Sequence, residues 1–408
     1  MNNKYDFDKI IERKGFDAAA LDGIGRKVWG AEPDSALPGF SEIPMWVADM
    51  NFETSPGITA ALEKRISHPL YGYFLPSDEY YDSIIRWQKE LHGFRGLEKK
   101  HIGYENGVHG CIITCIETLT EPGDPVFLHS PTYLGFLSDL RCTGRRSVLS
   151  PLKQDEKGIW RMDFEDMDKK IKENGVQLVI FCSPHNPTGR VWERWETEAA
   201  MEVFRKNDCT VISDEIWSDL VLPGHEHIPT LMINEDAHSR TIGLYAPSKT
   251  FNLAGLIGSY HIIFDPSLRR KIVRRGNVTH YNEMNVLSMH ALIGAYAPEG
   301  REWLRELLQY LEGNLRYASD FINSNFEGCR VTMPEGTYML FMDCSGFLKK
   351  RGMSLDEFIK KGWDVGVKFQ DGRAFAWEDA VRINVALPRS LLTEALERLG
   401  KYVINGQP

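Results

Sequence analysis

The 408-residue sequence contains no apolar run near the roughly 20 residues that a bilayer span requires. Positive charge is in deficit: 48 Lys and Arg stand against 57 Asp and Glu, a net charge of −9. That balance argues against a nucleic-acid or anionic-membrane partner. Seven cysteines (Cys111, Cys115, Cys142, Cys182, Cys209, Cys329 and Cys344) are scattered, odd in number and without a CxxC pair. This is the pattern of reduced, buried thiols in a cytosolic protein, not of a disulfide framework. Internal repeats and low-complexity tracts are absent too. The amino end, MNNKYDFDKI, is polar, so no secretory signal is expected. These absences lead to the expectation of a soluble, cytoplasmic protein.

What is present is ordinary globular material, 42% hydrophobic and 26% charged, in a chain long enough for two domains. Between about residues 120 and 265, short apolar runs alternate with polar, helix-like segments. DPVFLHS (124–130), VQLVIFCS (176–183), CTVISDE (209–215) and RTIGLYAPS (240–248) read as strands that are apolar on both faces. Such strands belong to parallel sheets covered by helices, and FEDMDKKIKEN and RWETEAAMEVFRKN read as covering helices. The alternation predicts an α/β domain with a mostly parallel, doubly wound sheet. The carboxyl third differs. A long amphipathic helix, with Trp303, Leu307, Leu311 and Tyr317 on one side, precedes strand-like stretches at 329–345 and 379–390. The expected division is a large domain over 45–295 and a smaller α+β domain from 1–44 and 296–408.

Ligands of open α/β sheets bind beyond the carboxyl ends of the strands. Following the four strands in turn, the chain places Tyr133, Asn186, Asp214 and then Ser248–Lys249. An aromatic ring to stack, an amide to bond a phenolate oxygen, a carboxylate to hold a ring nitrogen protonated and an amine to form an imine are together the demands of pyridoxal phosphate. ENGVHG (105–110) adds an anion cradle: Gly107 and Gly110 open a helix, and the backbone N–H groups of Val108 and His109 would face a phosphate.

SPHNPTGR (183–190), SDEIW (213–217) and PSKTFNLAGL (247–256) resemble the signature stretches of fold-type I pyridoxal-phosphate enzymes, the aspartate aminotransferase superfamily. PMWVADMNF (44–52), YGYFLPSDEYYDSIIRWQ (71–88), PEGTYMLFMD (334–343) and VRINVALPRS (381–390) are similar to the MalY/PatB group of C–S lyases, the cystathionine β-lyases. The resemblance implies that Lys249 carries the cofactor and moves the substrate's α-proton. By the same resemblance Asp214 pairs with the ring nitrogen, Asn186 bonds the ring oxygen and Tyr133 stacks. Arg382 would grip the substrate carboxylate in a bidentate pair. Tyr73 would reach the phosphate of a partner subunit, making the site a property of a homodimer. Trp46 and Tyr71, with Trp192, Trp217 and Tyr338, are candidates for the wall of the substrate pocket.

The chain departs from the pattern at four positions. Ala246 stands where aminotransferases have a phosphate-binding serine, leaving Ser248 as the candidate for that contact. Ile257 stands where they often have an arginine, which the C–S lyase relatives also lack. Trp217 replaces a tyrosine or histidine, and its indole N–H donates but does not accept. Asn51 replaces an expected aspartate in WVADMNF. The expected reaction is β-elimination from a β-substituted L-amino acid, giving pyruvate, ammonia and a thiol. Transamination and β-replacement or cyclisation use the same residues and stay open, as does a regulatory binding protein that keeps the fold. His225 and His227 around Glu226 read as solvated, SPLK (150–153) as a chance match, and Cys111 with Cys115 as core, so no metal is assigned.

Overall fold

Each of the four apolar runs forms a strand, and the conformation stops where the polar residues begin. The chain is described by a computed structural model over residues 4–27 and 32–407. The sheet strands, in chain order, are β1 (Ile102–Glu105), β2 (Pro125–Ser130), β3 (Arg146–Pro151), β4 (Leu178–Cys182), β5 (Thr210–Asp214), β6 (Thr241–Tyr245) and β7 (Ser259–Ile262). They lie in the order β1-β7-β6-β5-β4-β2-β3. Only β7 runs against its neighbours β1 and β6; the other pairs are parallel. β4 and β6 are buried at every residue, as strands covered on both faces must be.

Local signals set the covering helices. Helix Phe164–Asn174 starts where the Asp163 carboxylate accepts from Asp166 N at 3.1 Å, and it ends at Gly175 with φ +66°. Helix Arg194–Lys206 opens with a reciprocal Glu193–Glu196 capping box. Two further helices matter below: α1 (Asp78–His92) and α2 (Val108–Leu119). Ile112, Cys115 and Ile116 of α2 join Val126, Leu128, Ile180, Ile212 and Ile242 of the sheet in one buried core. Each fully buried aliphatic side chain there contributes about 1.5–3 kcal/mol. Cys111 and Cys115 are core residues, as expected, and all seven cysteines are free thiols; Cys142 differs from the others in being exposed.

This sheet lies in a larger unit made of Thr54–Asn186 and Arg190–Arg305. A smaller unit comprises Met1–Glu53, Pro187–Gly189 and Glu306–Pro408. The units therefore divide later in the chain than the 44/45 and 295/296 boundaries expected from sequence. The smaller unit holds a four-stranded antiparallel sheet of β8 (Arg330–Val331), β9 (Met339–Asp343), β10 (Gln370–Asp371) and β11 (Ala380–Asn384), ordered β8-β9-β11-β10. Its amino-terminal segment is tied in by Ile43–Pro44, which pairs in parallel with Val367–Lys368. Pro187–Gly189 joins this unit because Glu335 N and Gly336 N both donate to Gly189 O at 2.9 Å. Gly189 has φ +69°, and a Cβ there would fall 2.4 Å from Pro334 Cβ, so both backbone and space demand glycine.

Candidate functional site

Strand register brings four strand ends to one edge of the large sheet. Phe127 of β2 lies opposite Val179 of β4, Cys182 of β4 opposite Asp214 of β5, and Asp214 opposite Leu244 of β6. Tyr133, Asn186, Asp214 and Lys249 all sit at or just beyond the carboxyl ends of these neighbouring strands.

Asp214 is buried, and Ile216 N donates to its Oδ1 at 3.1 Å. A turn follows it, not a helix, so it caps nothing. Burial pushes its pKa from 3.8 up to about 6, against the lowering effects of the Ile216 N–H and of the nearby charges of His109 and Lys249. The Lys249 ammonium lies 5.8 Å from the ring centre of the buried Trp217. Ser248 is half-buried in the turn that carries Lys249, and its carbonyl accepts from Leu253 N at 3.0 Å.

The glycine-opened helix is α2. Gly107 is its N-cap, at φ +81° and with no side chain capping the first turn. A left-handed glycine here turns the chain so that the N–H groups of Val108 and His109 begin the helix facing outward, a ready site for an anion. His109 adds a side chain. Its Nδ1 lies 2.8 Å from Asp139 Oδ2 and its Nε2 3.3 Å from the Tyr133 hydroxyl. Burial works against the imidazolium, but the bond and charge of Asp139 outweigh it and raise the His109 pKa, with Asp214 adding to the effect. The Tyr133 and His109 rings are 5.4 Å apart and tilted at 48°. Gly135 leaves the room for both, since a Cβ there would meet the His109 ring at 2.1 Å.

Sequence reasoning missed the polar layer behind this edge. Glu215, next to Asp214, is buried and accepts from Ser213 Oγ at 2.9 Å, Thr230 N at 2.9 Å and Tyr245 Oη at 2.8 Å; His227 Nε2 lies at 2.8 Å. His227 is therefore buried, contrary to the expected solvated loop histidine. The Glu215 carboxylate draws it inward, a partner twelve residues away that no local pattern marks. A second buried pair, His261 Nδ1 and Glu105 Oε1 at 2.8 Å, sits beside Cys111. That spacing suits a hydrogen bond.

In the smaller unit Arg382 is buried on β11. Its Nη2 donates to Trp46 O at 2.9 Å and to Gln370 Oε1, and its guanidinium lies 4.7 Å from the Phe375 ring. Trp46 is buried with Nε1 donating to Ala20 O at 2.9 Å. Asn51 Oδ1 accepts from Arg13 Nη1 at 2.8 Å, so the amide in place of the expected aspartate still pairs with a cation. In the larger unit Trp192 packs on Phe181 and donates to Cys182 O at 2.9 Å. In the smaller, the Tyr338 hydroxyl donates to Ala48 O at 3.0 Å. Both rings are buried. Tyr71 and Tyr73 lie on an exposed stretch, 59% and 111% accessible. Ala246 is buried; Ile257 is 56% exposed, with its Cγ2 3.6 Å from where a Cβ on Gly107 would stand.

The residues fit a flat heteroaromatic phosphate: a buried carboxylate for a ring nitrogen, Tyr133 for its face, a side-chain-free helix start for the phosphate and an amine beside them. Comparison with known proteins points the same way. The chain is 32% identical to cystathionine β-lyase PatB of Bacillus subtilis (strain 168), over 96% of this chain and 98% of that one. It is similar in structure to a pyridoxal-phosphate-bound C–S lyase from Staphylococcus hominis, with TM-score 0.88 and 30% identity over 98% of each chain. Cystalysin from Treponema denticola, whose structure contains pyridoxal 5′-phosphate, matches with TM-score 0.89 and 30% identity over 98% of this chain and 99% of that one. The sequence model of the aminotransferase class I and II family matches residues 70–399, and the chain belongs to that family.

Proposed function

We propose that this protein is a pyridoxal-phosphate-dependent C–S β-lyase, converting a β-substituted L-amino acid of the cystathionine type to pyruvate, ammonia and a thiol. The observation that carries this reading is the arrival of Tyr133, Asn186, Asp214 and Lys249 at neighbouring strand ends of one sheet. The backbone N–H groups of Val108 and His109 would hold the phosphate, with Gly107 admitting it and Ser248 adding a contact. Tyr133 would cover one ring face, Asn186 and Trp217 would serve the ring oxygen, and Asp214 would pair with the ring nitrogen. Lys249 would carry the cofactor. When bound, the cofactor supplies a sink for the electron pair left at the substrate's α-carbon. Lys249 takes the proton from that carbon, and Arg382 binds the substrate carboxylate. Asp214 is suited to its part because a desolvated carboxylate gains most from a cationic N–H partner.

The reading extends to a homodimer in which Tyr73 reaches the partner's phosphate, supported by the exposure of Tyr73 and of Leu70 and Leu75 beside it. The free thiols support a cytoplasmic enzyme; among the described residues no helix is long and apolar enough to cross a membrane.

The test is incubation of the protein and cofactor with L-cystathionine in the absence of any keto acid. Pyruvate and thiol released over many turnovers support the lyase. A single stoichiometric burst that leaves pyridoxamine phosphate makes the protein an aminotransferase instead.

A further inference from the structure

The turn that carries Lys249 is held at the residues immediately after it. Thr250, fully buried, donates its hydroxyl to Asp219 Oδ2 at 2.8 Å. Phe251 packs on Trp87 at 5.8 Å between ring centres and on Trp303 at 5.5 Å. The turn itself is closed by Phe251 N donating to Pro247 O at 2.9 Å and Leu253 N to Ser248 O at 3.0 Å.

Asp219 is in turn fixed by α1. Trp87 Nε1 donates to its Oδ1 at 3.0 Å, and His92 Nε2 lies 2.7 Å from the same oxygen. Both are side chains of one helix, so Asp219 bridges a rigid element to the lysine turn. Trp87 is itself stacked on Tyr296 at 4.4 Å with the rings 5° from parallel. Asp219 also stands in the turn that follows Asp214. One short segment thus holds the carboxylate assigned to the ring nitrogen at one end and, through Thr250, the amine at the other.

We propose that Asp219 is a positioning residue: by accepting from Thr250 it sets where the Lys249 amine stands relative to Asp214. This rests on the role assigned to Lys249 above. A long, flexible amine needs its Cα fixed if its nitrogen is to reach both a cofactor carbon and a substrate proton. A displacement of about 1 Å at a reacting group costs on the order of a hundredfold in rate. Four neighbouring groups (Trp87, His92, Thr250 and the Asp219 backbone turn) make the bridge, and no part of it needs to touch substrate.

The test compares the wild-type holoenzyme with Thr250→Val, which keeps the shape and removes the donor, Thr250→Ser, which keeps the donor, and Asp219→Ala. Each is read three ways: kcat and KM, the pH midpoint of the absorbance band of the lysine-bound cofactor, and the rate at which apoprotein takes up pyridoxal phosphate as borohydride-fixed label on Lys249. Thr250→Val is expected to lower kcat about tenfold to a hundredfold with KM changed by less than about threefold. It should also move the absorbance midpoint by about half a pH unit or more and slow label uptake, while Thr250→Ser restores all three. Wild-type kcat, midpoint and uptake in Thr250→Val overturn the inference, as does equal loss in Thr250→Val and Thr250→Ser. If Asp219→Ala does not fold, the Thr250 pair decides alone. No label on Lys249 in the wild type is a different failure: it removes the proposed function, and this inference with it.

Discussion

Asp139 Oδ2 stands 2.8 Å from His109 Nδ1, joining the first turn of α2 to a helix thirty residues further along. The pair lies beside the Tyr133 hydroxyl and within electrostatic reach of Asp214 and Lys249. Because the folded pKa of His109 is raised above 6.5, its charge stabilises the fold fully below the unfolded value. That contribution is lost as pH climbs through the raised folded value. Asp139→Asn should bring the His109 titration down to or below 6.5, read by NMR of the ring protons, and should flatten the loss of stability on the alkaline side. An unchanged titration would show that Asp139 does not sustain the charge.

Asp214 is shifted in the same direction, but here the charged form is the one that the fold penalises. Its folded pKa, about 6, lies above the ordinary 3.8, so the folded chain binds the extra proton between those values. Stability of the apoprotein therefore falls as pH rises from about 4 to 6 and stays low above, by about 3 kcal/mol in all. Asp214→Asn is expected to make the apoprotein more stable than wild type at pH 7.5, by up to that amount, in urea unfolding. The same substitution should cut lyase turnover by about a hundredfold or more, since it removes the carboxylate opposite the ring nitrogen. A variant as labile as wild type would place the burial cost elsewhere.

Ile257 carries a β-branched side chain at φ +51° and ψ 47°, in the left-handed region, with the Tyr104 hydroxyl donating to its carbonyl at 3.1 Å. Such a residue stores strain of about 1 kcal/mol or more. Ile257→Gly should relieve it and raise stability by about 0.5–1 kcal/mol, after the entropy that glycine adds to the unfolded chain. Since Ile257 stands against Gly107, the affinity for pyridoxal phosphate is the second readout: a loss there would show that the strained turn shapes the phosphate cradle.

Arg382 is assigned the substrate carboxylate. Arg382→Ala is expected to raise KM for L-cystathionine about a hundredfold. It should hardly alter the cofactor's absorbance spectrum, because the groups assigned to the cofactor lie on other residues. Arg382→Lys keeps the charge and loses the two-pronged geometry, so it should recover only part of the loss. An unaltered KM in Arg382→Ala would move carboxylate recognition to another residue.

The strands and the polar residues that end them were legible because both depend on local pattern. LVIFC at 178–182 is apolar on both faces and lies where a both-faced buried strand was read. Gly107 before Val108 marked a helix start, and the backbone turns there at φ +81°. The boundaries of the units were less legible. Pro187–Gly189 is drawn into the smaller unit by two hydrogen bonds to a single carbonyl from residues about 150 positions away. His227 was misread for the same reason: its partner Glu215 is not in its own loop.

The sequence by itself determined the alternation of buried strands and amphipathic helices, and with it the edge at which an aromatic ring, an amide, a carboxylate and an amine are delivered. Side-chain type and spacing suffice for that, since β-sheet burial and strand termination are read over a few residues. Only the tertiary structure decided how those groups are held: His109 by Asp139, Glu215 by His227, and the Lys249 turn by Asp219 through Thr250. Each of these bonds joins side chains far apart in sequence, and its existence depends on how helices pack over the sheet to within an ångström, which no local pattern specifies.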